Sequence, residues 1–280
     1  MRIVKSIEEM RTICRELRRS DRVLGLVPTM GALHEGHLSL VQRARAECGA
    51  VAASIFVNPL QFGPGEDFAQ YPRTFKEDCR LLEEHGVDVL FAPEAEEMYP
   101  GQEATTVTVA GIGDRLDGAS RPGHFTGVAT IVTKLFHIVK PERAYFGQKD
   151  AAQLAVLRKM VRDLNFDVEL VGCETVRDAD GLALSSRNKY LSAVERTHAL
   201  VLHRALLQIE EMIAQGERKS SVLIQHGTEI LQAVDGVRVD YVAIVDANSL
   251  LPIPSVETGT LVAVAANVGK TRLIDNFLVR

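Results

Sequence analysis

Two short apolar runs, residues 23–27 and 51–57, bracket a segment in which the apolar Leu38, Val41 and Ala44 recur at helical spacing. Runs of that length suit strands buried on both faces, and a strand–helix–strand unit closes with a right-handed crossover between parallel strands. The alternation continues along the chain. Thr74 stands where it can cap a helix ending near His85-Gly86, and residues 87–91 follow as a third strand. Residues 105–109 read as a further short strand, and 125–139 as a helix stopped by Pro141. Residues 144–147 are strand-like again, and 150–164 form the next helix. Ser6 and Glu9 make a capping-box pair for a first helix from Ile7 to about Arg18. The pattern is α/β, a doubly wound parallel Rossmann-like sheet, in which ligands bind beyond the carboxyl ends of the strands.

From about residue 175 the pattern changes. Ser192 and Glu195 open a long helix to about Gln215, and Ser220 or Ser221 opens another to about Val234. Residues 237–245, 260–266 and 271–276 then read as strands, the first two joined through Pro252 and Pro254. The expected division is a Rossmann-like domain over 1–174 and a smaller α+β domain over 175–280. At 280 residues the chain is long enough for both cores.

The polar segments fall where the alternation places ligands. After the first strand, which the pattern ends at Pro28, come Met30, Gly31, Ala32, Leu33, His34, Glu35, Gly36 and His37 at the mouth of a helix. A helix start offers unpaired N–H groups and the positive end of the dipole, which suits phosphate. The two glycines allow close approach of a ligand, and the imidazoles can donate to phosphoryl oxygens that gain charge. Residue types alone favour two ordinary loop histidines. A metal site is not expected, because no third ligand follows at zinc spacing.

Asn58 and Gln61 place two amides after the second strand, suited to a hydroxyl- or carboxylate-bearing substrate, although Asn58-Pro59 is also ordinary turn chemistry. Gly147, Gln148, Lys149 and Asp150, with Gln153 a turn later, occupy another strand-to-helix junction that lacks the Walker pattern. There Lys149 can lie against phosphate, and Asp150 can hold a ribose or orient the lysine; the residues alone favour a surface lysine and an aspartate placed by the helix dipole. Leu184, Ser185, Ser186 and Arg187 follow Asp180-Gly181 and can wrap phosphates, or simply form a polar turn. Arg121-Pro122-Gly123-His124-Phe125 is a further candidate, with His124 at a helix entry. His85, His137, His198, His203 and His226 lie in helical stretches and read as structural.

The net charge of −5 argues against a broad nucleic-acid surface, and Arg15, Arg18, Arg19 and Arg22 read as one solvated helix face. The four cysteines are scattered without a C-x-x-C pair and read as inert thiols. No run approaches the ~20 apolar residues of a membrane span, and the segment after Met1 is charged at once, so a cytoplasmic protein is expected.

In family order, the blocks 27–37, 54–62, 71–74, 121–125, 146–150 and 180–188, with Arg272-Leu273-Ile274-Asp275-Asn276 near the end, resemble the pantothenate synthetases. These are pantoate–β-alanine ligases of the nucleotidylyltransferase-like group, whose H-x-G-H signature is similar to His34-Glu35-Gly36-His37. The resemblance implies attack of pantoate on the α-phosphate of ATP, followed by displacement of AMP by β-alanine. It implies that Met30 to His37, Gly147 to Asp150, Val176 and Leu184 to Arg187 line the nucleotide. His37 is implied as proton donor and His34 as its partner, with Lys149 and Arg187 also offsetting phosphate charge. Gln61, Gln153 and Asn58 are implied to hold pantoate. Mg²⁺ bound through the triphosphate, a homodimer and a second domain covering the site are implied as well. Thr126 and Gln148 depart from residues frequent in the family. The alternative is a nucleotidylyltransferase of the same fold that leaves AMP on its product.

Overall fold

The computed structural model describes residues 1–18, 22–101 and 105–280. In chain order it contains β1 (Arg2–Val4), α1 (Ile7–Arg18), β2 (Leu24–Thr29), α2 (Glu35–Glu47), β3 (Ala50–Ile55), α3 (Phe75–Glu84), β4 (Val89–Phe91), α4 (Ala95–Met98), α5 (Asp117–Ser120), α6 (His124–Val139), β5 (Arg143–Gly147), α7 (Ala151–Asp163) and β6 (Glu169–Cys173). Then follow α8 (Ala193–Ala214), α9 (Ser220–Gln232), β7 (Val237–Asp246), β8 (Thr260–Val268) and β9 (Thr271–Leu278). Two compact units result: residues 1–147 with 156–174, and residues 148–155 with 175–280.

The first unit carries a parallel sheet in the order β1-β4-β3-β2-β5-β6. From β4 to β6 this is the doubly wound order, and its direction reverses between β2 and β5, the switch point at which such sheets bind ligands. β2 leads into residues 30–37 and β5 into residues 148–153. β2 and β3 are buried almost throughout, as the apolar runs require. On one face Val27, Val51 and Leu90 pack with Leu40, Val41 and Ala44 of α2 and Leu82 of α3. Full burial of each such side chain contributes roughly 1.5–3 kcal/mol.

Several local expectations are corrected. β2 does not end at Pro28 but runs to Thr29, with Pro28 opposite Ser54. β5 pairs only with Gly25 and Leu26, so at Pro28 there is no ladder on that side for a missing N–H to interrupt. Residues 105–109 are not a strand: they are largely exposed, and the Val107 N–H is taken by Thr130 Oγ1 at 2.9 Å. The outer side of β4 is filled by β1, which the pattern did not reveal. Thr74 precedes α3 without a side-chain cap; its hydroxyl donates to Asp78 instead. Of the basic cluster, Arg15 and Arg22 are exposed, whereas Arg18 donates to the carbonyls of Val139 and Lys140 at the end of α6. Arg19 lies outside the described residues.

In the second unit, an antiparallel sheet in the order β7-β8-β9 packs Val262, Val264 and Ala266 against Leu202, Leu206 and Ile209 of α8 and Leu223 and Leu231 of α9. α8 begins with the expected reciprocal cap: Ser192 Oγ accepts from Glu195 N at 3.3 Å, and Glu195 Oε2 accepts from Ser192 N at 2.8 Å.

Candidate active site

In the first unit the chain leaves β2 through two successive left-handed residues, Gly31 (φ +81) and Ala32 (φ +52). The turn brings the N–H groups of Ala32 and Leu33 to one side, an arrangement that suits an anion. The anion here is internal: Asp78 of α3, only 1% exposed, accepts from Ala32 N at 3.0 Å, Leu33 N at 2.9 Å and Thr74 Oγ1 at 3.1 Å. A Cβ at Gly31 would lie 3.0 Å from Asp78 Oδ2 and 3.1 Å from Ile55. Glycine at 31 therefore has an internal reason, the turn and its carboxylate, apart from clearing a path for a ligand. Asp78 escaped the sequence reading because it looked like an acidic residue favoured in a first helical turn. Its i,i+4 relation to the buried Leu82, which puts a charge on the buried face of α3, was the available signal.

The helix after the turn begins at Glu35, because His34 is its N-cap. His34 Nδ1 accepts from Gly36 N at 3.2 Å, so the neutral ring carries its proton on Nε2, the nitrogen turned away from the backbone. The His34 and His37 ring centroids are 4.1 Å apart. Two imidazoles thus share the first turn of α2.

Gln61 closes the short 3-10 turn Pro59–Gln61 after β3. Its Nε2 donates to Met30 Sδ at 3.0 Å, and its Oε1 accepts from Asn58 Nδ2 at 3.1 Å. Asn58, 1% exposed, also donates to Gly127 O at 3.0 Å and accepts from Tyr99 Oη at 2.7 Å and Leu60 N at 3.3 Å. Both hydrogens and both lone pairs of its amide are engaged inside the protein, so Asn58 orients Gln61. The Gln61 carbonyl is held in turn by His124 Nδ1 at 2.8 Å and Arg121 Nη2 at 3.3 Å. Arg121 Nη1 lies 3.0 Å from His124 Nε2. A guanidinium has no lone pair, so Nε2 accepts and the proton sits on Nδ1, aimed at Gln61. Glu66 engages Arg121 through Nε and Nη2 at 2.8 and 2.6 Å, and that contact holds the Glu66 carboxyl below the usual range.

In the second unit Gln148, Lys149 and Asp150 form one 3-10 turn ahead of α7, with Lys149 Nζ 3.7 Å from Asp150 Oδ1. Gln153 is half-buried on the first turn of α7. Leu184 N donates to Val176 O at 3.0 Å, closing residues 176–184 into a loop. Ser185 then caps a 3-10 turn, Ser186–Tyr190, by accepting from Arg187 N at 3.3 Å, and Ser186 is buried. Arg177 makes a two-pronged pair with Asp275 at 2.6 and 2.9 Å and donates to Gly181 O at 3.1 Å. The candidate residues thus fall into two groups: Met30 to His37, Asn58 and Gln61 in the first unit, and Gln148 to Asp150, Gln153, Val176 and Leu184 to Arg187 in the second. Gly147 ends β5.

His85 and His137 bond back to helix carbonyls through Nδ1 at 2.8 and 2.9 Å. Cys14, Cys48 and Cys173 are buried free thiols, and burial pushes that of Cys14 up to about 12. Among the described residues no three His, Cys, Asp or Glu side chains gather as a metal site.

A family model described as pantoate-beta-alanine ligase matches residues 2–278. The pantothenate synthetase of Koribacter versatilis is 55% identical over 280 residues, covering 100% of this chain and 96% of its own. A crystal structure of the pantothenate synthetase from Thermus thermophilus superposes with a TM-score of 0.94 at 53% identity, covering 99% of each chain. The pantoate-beta-alanine ligase from Francisella tularensis, complexed with beta-gamma ATP and beta-alanine, superposes with a TM-score of 0.79 at 34% identity, covering 99% of this chain and 97% of its own.

Proposed function

The chain belongs to the pantoate–β-alanine ligase family, and from that premise we propose how its residues divide the work. The reaction is the ATP-dependent condensation of (R)-pantoate with β-alanine to pantothenate, AMP and pyrophosphate. A pantoate carboxylate oxygen attacks the α-phosphorus, the bond to the β-phosphate breaks, and pyrophosphate leaves. The free amine of β-alanine then attacks the acyl carbon of pantoyl adenylate, AMP departs, and the amine gives up a proton.

In the first step negative charge grows on the α-phosphoryl oxygens. His34 donates there from Nε2 and His37 acts beside it as proton donor, while Lys149 and Arg187 offset charge on the phosphates. Removing one preorganised donor of this kind typically costs on the order of 10²–10³ in rate. Met30 to His37, Gly147, Gln148, Asp150, Val176, Leu184, Ser185 and Ser186 line the nucleotide. Gln61 and Gln153 hold pantoate, and Asn58 acts through Gln61. Mg²⁺ arrives on the triphosphate, as suits a hard ion that keeps water and phosphate oxygens as most of its ligands. None of the described helices is long and apolar enough to cross a membrane; the family resemblance supports a homodimer working in the cytoplasm.

The observation that carries this reading is the paired histidines at the start of α2 in the unit where the Gln61 amide is fixed against Met30. A coupled assay for free AMP tests it. Pantoate alone is expected to support ATP–pyrophosphate exchange, and β-alanine to release AMP. AMP retained on the product would mark a nucleotidylyltransferase, and AMP release indifferent to β-alanine would overturn the ligase reading.

A further inference from the structure

The C-terminal block Arg272 to Asn276 takes no part in the chemistry above, yet it places two polar side chains side by side in the interior. β9 alternates as a half-buried strand should until Asp275, 2% exposed, is followed by Asn276, 5% exposed. Burying such groups is unfavourable unless their hydrogen bonds are met. Asp275 meets its own with Arg177 and with the Asn276 N–H at 2.8 Å. Asn276 meets its own at the nucleotide turn: Nδ2 donates to Gln148 O at 3.1 Å and to Lys149 O at 2.8 Å, and Oδ1 accepts from Gln148 Nε2 at 3.4 Å. The two carbonyls can only accept, so they determine which end of the amide faces them.

Those carbonyls belong to the peptide groups on either side of the Lys149 Cα. Holding both planes sets φ and ψ at Lys149, and with them the direction in which Cβ leaves the backbone. A lysine has four rotatable side-chain bonds beyond that point, so an unrestrained base would spread the ammonium over a wide volume. We propose that Asn276 is a positioning residue for the adenylation step, aiming Lys149 by clamping the two peptide groups that flank it. The proposal rests on the reading that Lys149 contacts the phosphates. Gln148 completes the clamp by donating back to Asn276.

A double-mutant cycle on the full-length enzyme tests this, read by pantoate-dependent ATP–pyrophosphate exchange. Asn276→Ala is expected to lower kcat/KM for ATP by about tenfold in the parent and by less than about twofold beside Lys149→Ala, the non-additivity of residues that act as one. The KM for pantoate should stay within about twofold of the parent, since the Asn276 side chain bonds to Gln148 and Lys149 and to neither Gln61 nor Gln153. Equal losses in both backgrounds would make Asn276 a merely structural residue and overturn the proposal. A Lys149→Ala enzyme that keeps full exchange would also overturn it, because nothing would then be positioned. Should Asn276→Ala not fold, Asn276→Ser, which leaves a smaller polar group in the strand, runs the same cycle with the same expected non-additivity. An inactive parent enzyme would instead refute the ligase reading, which separates the two failures.

Discussion

After β2 the chain turns through Gly31 and Ala32, and its N–H groups are gathered by a carboxylate, Asp78; after β5 the turn presents carbonyls, and these are gathered by an amide, Asn276. Each supporting side chain comes from an element remote in sequence, and its polarity is dictated by the backbone in front of it. At Ala32 and Leu33 two successive N–H groups face the same side, so only an acceptor satisfies them. The 3-10 turn at 148–150 exposes acceptors, so only a donor does. The Asp78 site also has the larger energetic stake, because hydrogen bonds to a charged group contribute roughly 1.5–3 kcal/mol each against 0.5–1.5 for neutral ones. A second lesson concerns the ligand. The anion-binding concavity at 31–33 is filled by the protein's own carboxylate, so it shapes the loop that presents His34 and His37.

The strongest way to break the comparison is Asp78→Asn. The amide keeps one acceptor but must turn an N–H toward the backbone N–H of Ala32 or Leu33, neither of which can accept. Loss of about 2–3 kcal/mol of unfolding free energy is expected in a denaturant titration. Where the protein remains folded, pantoate-dependent exchange should drop by about 10², the effect of displacing catalytic groups by roughly an ångström. Unchanged stability and exchange would mean that the loop holds its shape without the carboxylate.

The sequence made the central strands legible because they are buried on both faces and read as unbroken apolar runs. The edges were not. β1 has three residues with only Val4 buried, and β6 has five with only Cys173 buried, so neither bears a period, and pairing with a neighbour alone makes them strands. Residues 105–109 erred the other way: Thr-Val alternation imitates a strand, but burial, which a sheet edge would provide, is missing. At the site, His34, His37, Gln61 and Lys149 could be singled out because their chemistry is recognisable where strands end. Asp78 could not, and Asn276 stood out only within a block that carries the resemblance, since each supports a loop about 45 to 130 positions away in sequence, a distance no local pattern spans. Polarity at a buried register position is the one hint that their supporting role leaves in the sequence.

The Gln61 turn sharpens the comparison, because it lies in the first unit but is held in the sense of the second, by donors on a carbonyl. An asparagine side chain places its amide near the position of a histidine Nδ1, whereas a glutamine reaches toward that of Nε2. His124→Asn can therefore keep the bond to Gln61 O, and His124→Gln can keep only the contact to Arg121. The KM for pantoate at saturating ATP should stay within about twofold in the Asn variant and rise about fivefold in the Gln variant, the worth of one neutral hydrogen bond. Equal KM values in the two variants would show that the Gln61 carbonyl does not depend on Nδ1.

The smallest expected effect asks whether the second unit's support responds to pH. His203 of α8 packs on Gly181, where a Cβ would lie 2.6 Å from its Cδ2, beside the Arg177–Asp275 pair that holds the Gly181 carbonyl. Burial holds its pKa below the ordinary 6.5, Arg177 adds to that, and Asp275 and Glu210 oppose it. The folded state thus binds this proton less readily than the unfolded chain. Above pH 6.5 His203 is neutral in both states and adds no slope; as pH falls below 6.5 the unfolded chain takes up the proton first, and stability is lost down to the folded pKa. His203→Gln removes the titration while keeping a side chain of similar length. Melting midpoints measured between about pH 7.5 and 5.5, a window chosen to straddle the free-histidine value, should fall less steeply in the variant than in the parent. Identical slopes would mean that the Gly181 turn and its arginine tie are indifferent to protonation at His203.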